Sequence, residues 1–244
     1  LPPETLTVTA DLRWVPLSSL SVGDRLIGIQ EEPIAKPGRM ARFRSLEPSV
    51  VEGISRLILP CYRITLEDGS SLISSDSHPW LARKVFGASS HKYKWVGCAD
   101  LIPGVHTLGK FIPPWEFDGS REAGYLAGFL DGEGWISNAS SNEYHKYGAS
   151  IGWAQNMGET NDLVKRLLRE KGFLFRQGHK TEKLEVMRLT TAQESLRLLG
   201  SIRPDRLIRN AEKVWTGLTQ RKFGRSLVVR VEPIGDKEVI GVQT

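Results

Sequence analysis

Over the first 114 residues the apolar positions fall in short alternating or β-branched runs: "TLTVTA" at 5–10, "SVVEGISRLIL" at 49–59 and "CYRITLEDGSSLISS" at 61–75. Gly, Pro, Asp and Ser break these runs, so the pattern predicts short strands joined by turns, with "LEDGSS" as a hairpin turn. From residue 118 to 226 the period changes. Ser120 can cap a helix that carries Glu122 in its first turn and runs to about Leu130, where a Gly-bracketed bend holds Asp131 and Glu133. "WISNAS" and "YGASIGWAQ" then read as strands. "TNDLVKRLLREKG" reads as an amphipathic helix with Leu163, Val164, Leu167 and Leu168 on one face and Gly172 at its end. Two more strands follow, "FLFRQG" and "LEVMRLT". Next comes a helix opened by Thr191 and Glu194 in capping-box spacing, and a final helix over "PDRLIRNAEKVWTGL". The order is αββαββα with one extra helix. The last stretch, "SLVVRVEPIGDKEVIGVQT", returns to β character.

The chain repeats itself once. "WVPLSSLSVG" at 14–23 and "WVGCADLIPG" at 95–104 share Trp-Val, Leu and Gly at equal spacing, and strand-like residues follow both. A duplicated β unit accounts for this. "IQEEPIAKPGRMARFRSLEPS" at 29–49, with three prolines and mixed charge, reads as a loop or linker. A β-rich beginning and a β-rich end around a different middle suggest an insertion into one β domain.

Composition narrows the picture. The 244 residues, 40% of them hydrophobic, allow one large or two ordinary domains with a packed core. The longest apolar run, around Tyr125–Leu130, is far shorter than the roughly 20 residues that span a bilayer, so no membrane segment or leader is expected. Cys61 and Cys98 sit in apolar, strand-like surroundings and read as two buried free thiols, which points to a reducing, cytoplasmic setting. The Leu at position 1 reads as a trimmed or excised start. The net charge of +5 is uneven. Residues 1–117 carry 13 Lys and Arg against 12 Asp and Glu, residues 118–226 carry 18 against 13, and the remainder 2 against 3. The middle segment thus holds the excess. Clustered basic residues suit a polyanion such as nucleic acid, while a solvated helix surface is the plainer reading for Lys165, Arg166 and Arg169.

Within the first predicted helix, Gly124, Ala127, Gly128 and Asp131 share one face, and a face that small lets a second helix approach closely. Ordinary core packing is the plain alternative. Asp131 and Glu133 beside a polyanion call for a hard divalent cation between them, Mg²⁺, which polarises phosphate oxygens and lowers the pKa of an attacking water.

Two resemblances add to this. The run from Gly69 through Ser75, His78 and Pro79 resembles the second splicing block of the Hint fold, shared by inteins and hedgehog autoprocessing domains. "ETLTVTADLRWVPLSSLSVGDRLIG" looks like that fold's opening block and "VVRVEPIGDKEVIGVQT" like its penultimate one. By this resemblance His78 assists an N-terminal acyl shift, and Ser75 stands where inteins normally have Thr. A Cys or Ser nucleophile at the start and a closing His-Asn, which inteins carry, are not at Leu1 and Thr244.

"YLAGFLDGEG" at 125–134 resembles the signature of LAGLIDADG homing endonucleases. That resemblance makes Glu133 the metal-binding carboxylate, Gly132 a carbonyl donor to the metal, and Asp131 a cap at the helix ends. Gln155 becomes the organiser of active-site water. Arg203 or Arg206, with Lys213 behind them, becomes the basic residue that completes the site. Asn138, Lys146, Arg176, Gln177, Lys180, Arg188 and Arg209 would contact DNA. With one signature per chain, a homodimer through Gly124, Ala127 and Gly128 is implied.

The expected architecture is therefore two-domain: a mostly-β Hint domain (1–115 and 226–244) interrupted by an α+β LAGLIDADG domain (116–225) built as an αββαββα saddle. The expected function is Mg²⁺-dependent double-strand cleavage of a host-gene site, within an intein whose exteins would be its other partners. The alternative is a non-cleaving nucleic-acid-binding protein, a regulator or RNA maturase, with a relic Hint part.

Overall fold

In the computed structural model, which describes residues 1–35, 42–87, 93–110, 113–137, 150–219 and 224–244, the alternating runs become short strands. They are β1 (Leu6–Val8), β2 (Trp14–Pro16), β3 (Arg25–Ile29), β4 (Ile34–Ala35), β5 (Arg42–Phe43), β6 (Leu46–Val50), β7 (Gly53–Leu66), β8 (Ser71–Ser75), β9 (Pro79–Lys84), β10 (Lys94–Gly97) and β11 (His106–Gly109). The middle segment forms α1 (Arg121–Glu133), β12 (Gly134–Ser137), β13 (Ser150–Asn156), α2 (Glu159–Glu170), β14 (Phe175–Lys180), β15 (Leu184–Leu189), α3 (Ala192–Ile202), α4 (Asp205–Ile208) and α5 (Glu212–Trp215). The chain closes on β16 (Arg225–Gln243).

β7 pairs antiparallel with β16 along its whole length, from Gly53 opposite Gln243 to Leu66 opposite Val228. They are neighbours in a six-stranded sheet ordered β10-β9-β11-β16-β7-β8. Two bulges bend β16. One spans Pro233 and Gly235, where proline has no N–H to give the ladder and Gly235 takes a φ of +79°. The early and the last β-rich stretches are thus paired in one sheet. The repeat is also structural. Each copy runs strand, one 3₁₀ turn (Leu17–Ser19, Cys98–Asp100), then strand. Leu20 and Leu101 are buried in both, and Gly23 and Gly104 both adopt positive φ.

In the middle segment, β12, β13, β15 and β14 form an antiparallel sheet in that order. Ile151 and Trp153 of β13 and Met187 and Leu189 of β15 alternate inward, and Leu126, Leu130, Val164, Leu168, Leu196 and Leu199 of α1, α2 and α3 pack against them. The helices therefore cover one face of the sheet. The same buried cluster takes in Val8, Ala10, Leu12 and Leu46 from the β-rich part. Polar contacts reinforce the junction: Trp115 Nε1 donates to the Leu12 carbonyl at 3.0 Å and Trp215 Nε1 to that of Ala10 at 3.1 Å. Gly200 has no room for a side chain, because a Cβ there would lie 1.8 Å from Trp115 Nε1 and 2.7 Å from the Leu12 oxygen. The remaining core of the β-rich part lies in two smaller clusters, one around Ile64, Cys98, Leu108 and Val228 and one around Leu17, Leu26, Val51 and Ile240. Cys61 and Cys98 are free and buried.

Three expectations change. Helix α1 does not stop at Leu130 but continues through Asp131, Gly132 and Glu133, so there is no bend at the carboxylates. The single helix expected after Pro204 is two, α4 and α5. Between them the bonds tighten to i→i+3 spacing, with Asn210 N–H on Leu207 O and Ala211 N–H on Ile208 O. The stretch 29–49 is not only a loop, since β4 pairs with β5 inside it and β6 pairs with β3. Among the described residues, no helix is long and apolar enough to cross a membrane.

Candidate functional site

Helix α1 begins where Ser120 Oγ accepts the Ala123 N–H at 3.2 Å. Asp118 just before it takes Lys171 Nζ at 2.6 Å, and these bonds with the Ser120 amide hold its carboxyl at about 2. Ala123, Leu126 and Leu130 face the core. The opposite face is bare: a Cβ added at Gly124, Gly128 or Gly132 would meet nothing within 4 Å, and Ala127 is half-buried at its edge. The helix passes into β12 without a loop. Gly134 makes that possible, because a Cβ there would come 2.5 Å from the Leu130 carbonyl oxygen.

The two carboxylates of this last turn have separate surroundings. Asp131 Oδ2 and Oδ1 accept the Asp205 and Arg206 N–H groups, each at 2.8 Å, which caps α4 from outside. Glu133 is exposed. Arg206 folds back onto the end of α1, with Nε donating to Asp131 O at 2.6 Å and Nη2 to Leu130 O and Gly134 O at 3.1 and 2.6 Å. Gln155, whose Oε1 accepts the Asn156 N–H, lies on β13 two residues beyond Trp153, the partner of Gly134.

Of the two arginines expected here, only Arg206 reaches α1. Arg203, left-handed at the C-cap of α3, turns to the β-rich part, where it donates to the Asp11 carbonyl and carboxylate at 2.9 Å each. The half-exposed Asp11 carboxylate, with the Asp11 carbonyl beside it, gives that guanidinium two acceptors. Lys213 lies on α5.

The face of the sheet away from the helices carries a row set by register: Trp135 opposite Gly152, Gly152 opposite Arg188, Arg188 opposite Arg176. The Trp135 ring covers Gly152, where a Cβ would lie 2.9 Å from it. Arg176 and Arg188 are exposed and directly opposed, and neither pairs with an acidic side chain among the described residues. Like charges so placed repel, and an anion laid across them removes that cost. The other expected DNA contacts are not on this row. Gln177 is opposite the inward Met187, which puts it on the helix side, and the bulge after it turns Lys180 onto Glu185 at 3.3 Å. Arg209 pairs with Asp205 and lines a cleft shared with Asp11 and Arg25. Asn138 and Lys146 lie outside the described residues. The sequence reading missed Trp135 and Gly152, whose opposition depends on a strand register that no local motif encodes.

For a divalent cation, the donors at the end of α1 are the Glu133 carboxylate and the Gly132 carbonyl, which in a last helical turn lacks an intrahelical donor. They suit a hard cation in kind. In number they do not suffice, because Asp131 is occupied by α4, and among the described residues no three His, Cys, Asp or Glu side chains are grouped to hold a metal.

A second constellation lies in the β-rich part. Ser75 is buried at the end of β8 opposite Cys61, and its carbonyl accepts the His78 N–H at 3.2 Å. The His78 carbonyl takes Cys98 N–H at 3.0 Å, and its imidazole stands edge-on to Trp80 with centroids 5.0 Å apart. Burial, then the Leu1 ammonium nearby, push His78 down to about 4. It is therefore neutral near pH 7. Leu1 is paired with Ile240 of β16 through two backbone bonds, 3.2 and 2.7 Å. Burial raises both cysteine thiols, which leaves them un-ionised.

No family model matches the chain, and no curated protein does either. Among solved structures, it is similar to the splicing domain of the Msm DnaB1 intein bound with zinc, at 21% identity over 47% of this chain and 70% of that one, with a TM-score of 0.30. It is also similar to the MchDnaB-1 intein, at 21% identity over 46% and 69%, with a TM-score of 0.30.

Proposed function

We propose that the chain is an intein-type splicing domain carrying a LAGLIDADG homing endonuclease that cuts double-stranded DNA. The observation that carries this reading is the end of α1: an exposed Glu133 on the helix whose Gly124, Gly128 and Gly132 face open space. A second copy laid on that face would bring two Glu133 carboxylates together and make up the missing donors. Magnesium held there by Glu133 and Gly132 would supply Lewis-acid activation of water and phosphate. The opposed Arg176 and Arg188 would take phosphates on the open sheet face. The deciding assay is cleavage of the empty insertion site with Mg²⁺. Glu133→Gln is expected to lower cutting by at least about 1000-fold and change DNA affinity less than about threefold. Loss of binding and cutting together counts against the metal role.

One observation favours the second reading, a protein that binds nucleic acid without cutting it: among the described residues Asp131 is occupied by α4 and no three His, Cys, Asp or Glu side chains are grouped to hold a metal. On that reading the wild type shifts the DNA and leaves it intact. In the splicing part, neutral His78 would hold the amide at the N-terminal junction, take the proton of the attacking nucleophile and pass it to the leaving nitrogen, with Ser75 beside it. A tagged precursor with a nucleophile before Leu1 and His-Asn after Thr244 tests that activity.

A further inference from the structure

The interlocked bonds between α1 and α4 assign Arg206 a role separate from contact with a substrate. We propose that Arg206 is a positioning residue: its guanidinium locks the Glu133-bearing turn of α1 to α4 and so fixes where that carboxylate stands. The inference rests on the nuclease reading of Glu133 for its functional consequence, though not for the lock itself.

The geometry is reciprocal. Asp131 reaches from α1 to the first two N–H groups of α4, and Arg206, in the first turn of α4, reaches back to three carbonyls of α1. Those carbonyls, of Leu130, Asp131 and Gly134, bracket Glu133 on both sides. Three N–H groups of the guanidinium are used, on Nε and Nη2, in a fork that a lysine ammonium cannot copy. The C-terminal turn of a helix normally frays because its last carbonyls lack donors, and it presents a partial negative charge. Here that turn also carries Glu133. Arg206 supplies the donors and offsets the charge, and this allows α1 to run on to Glu133 and enter β12 directly. Nη1 is left without an acceptor among the described residues, so a phosphate contact is the competing role for the same residue.

The full chain with Arg206→Lys, Arg206→Ala and Asp131→Asn separates the two roles. Amide hydrogen exchange at positions 130–134 and 205–206 is expected to quicken about tenfold in all three variants, read without metal or DNA. In cleavage assays with Mg²⁺, both Arg206 variants should lose turnover by roughly 10- to 100-fold with the KM for DNA within about threefold, because the retained charge of lysine does not rebuild the fork. Full turnover in Arg206→Lys, or a loss confined to KM, would overturn the proposal in favour of a phosphate contact. Unchanged exchange would overturn it as well. If an Arg206 variant does not fold, Asp131→Asn breaks the same lock from the other side, and its exchange decides. A wild-type chain that binds DNA without cutting removes the nuclease reading and leaves the exchange comparison to judge the lock.

Discussion

His78 couples its surroundings to the acid stability of the chain. Its folded pKa of about 4 lies below the ordinary value of 6.5, so between these values the unfolded chain binds the proton more readily. The sign follows directly: the stabilisation is complete above pH 6.5, falls as the pH drops through that window, and is gone below about 4. The displacement corresponds to as much as ~3 kcal/mol. Asp118, held at about 2, acts in the same direction at lower pH, where its stabilisation fades between its ordinary 3.8 and 2. Urea midpoints measured from pH 7 to 4 should therefore fall steeply in the wild type. His78→Gln should flatten that slope above pH 4.5, and an unaltered slope would place the protonation elsewhere.

Helix α1 has two faces with opposite demands. Ala123, Leu126 and Leu130 close the core, while Gly124, Gly128 and Gly132 leave the other side open at a cost, because each glycine weakens a helix by roughly 0.5–1 kcal/mol relative to alanine. No contact among the described residues repays that cost. Gly128→Ala should therefore raise the melting temperature of the monomer by roughly 1–4 °C, and Gly128→Leu should weaken self-association in sedimentation experiments. Equal association of wild type and Gly128→Leu would sink the dimer reading. This face was legible in the sequence, because small residues at helical spacing are a local signal. So were Ser120 as a cap, the β12–β15 order and the strand character of both ends. The length of α1 was not, because the bonds that extend it come from Arg206, 72 or more residues away in sequence. Nor was the orientation of Lys180, which a bulge in β14 decides.

At the scale of the whole molecule, the division at 115 and 225 describes sequence better than packing. Leu12, buried in the same cluster as α1 and α3, and Asp11, paired with Arg203, belong to the middle segment by contact and to the β-rich part by chain. Residues 116–225 expressed alone lack four of the buried side chains in that cluster, Val8, Ala10, Leu12 and Leu46. Exposing such side chains costs about 2–5 kcal/mol for each large one. The isolated segment should show no cooperative melting transition, and a sharp transition near that of the full chain would refute the shared core. The change of period in the sequence marked where helices begin and end, whereas the merged core rests on contacts between distant parts of the chain.

Gly200, pressed against Trp115 and the Leu12 carbonyl, gives this junction a consequence for descent. A substitution there, in the segment that resembles an endonuclease, displaces the first strands of the segment that resembles a splicing element. The packing of the two parts is therefore coupled at this point. Drift in the interior on one side of this junction is felt on the other, whatever each part does.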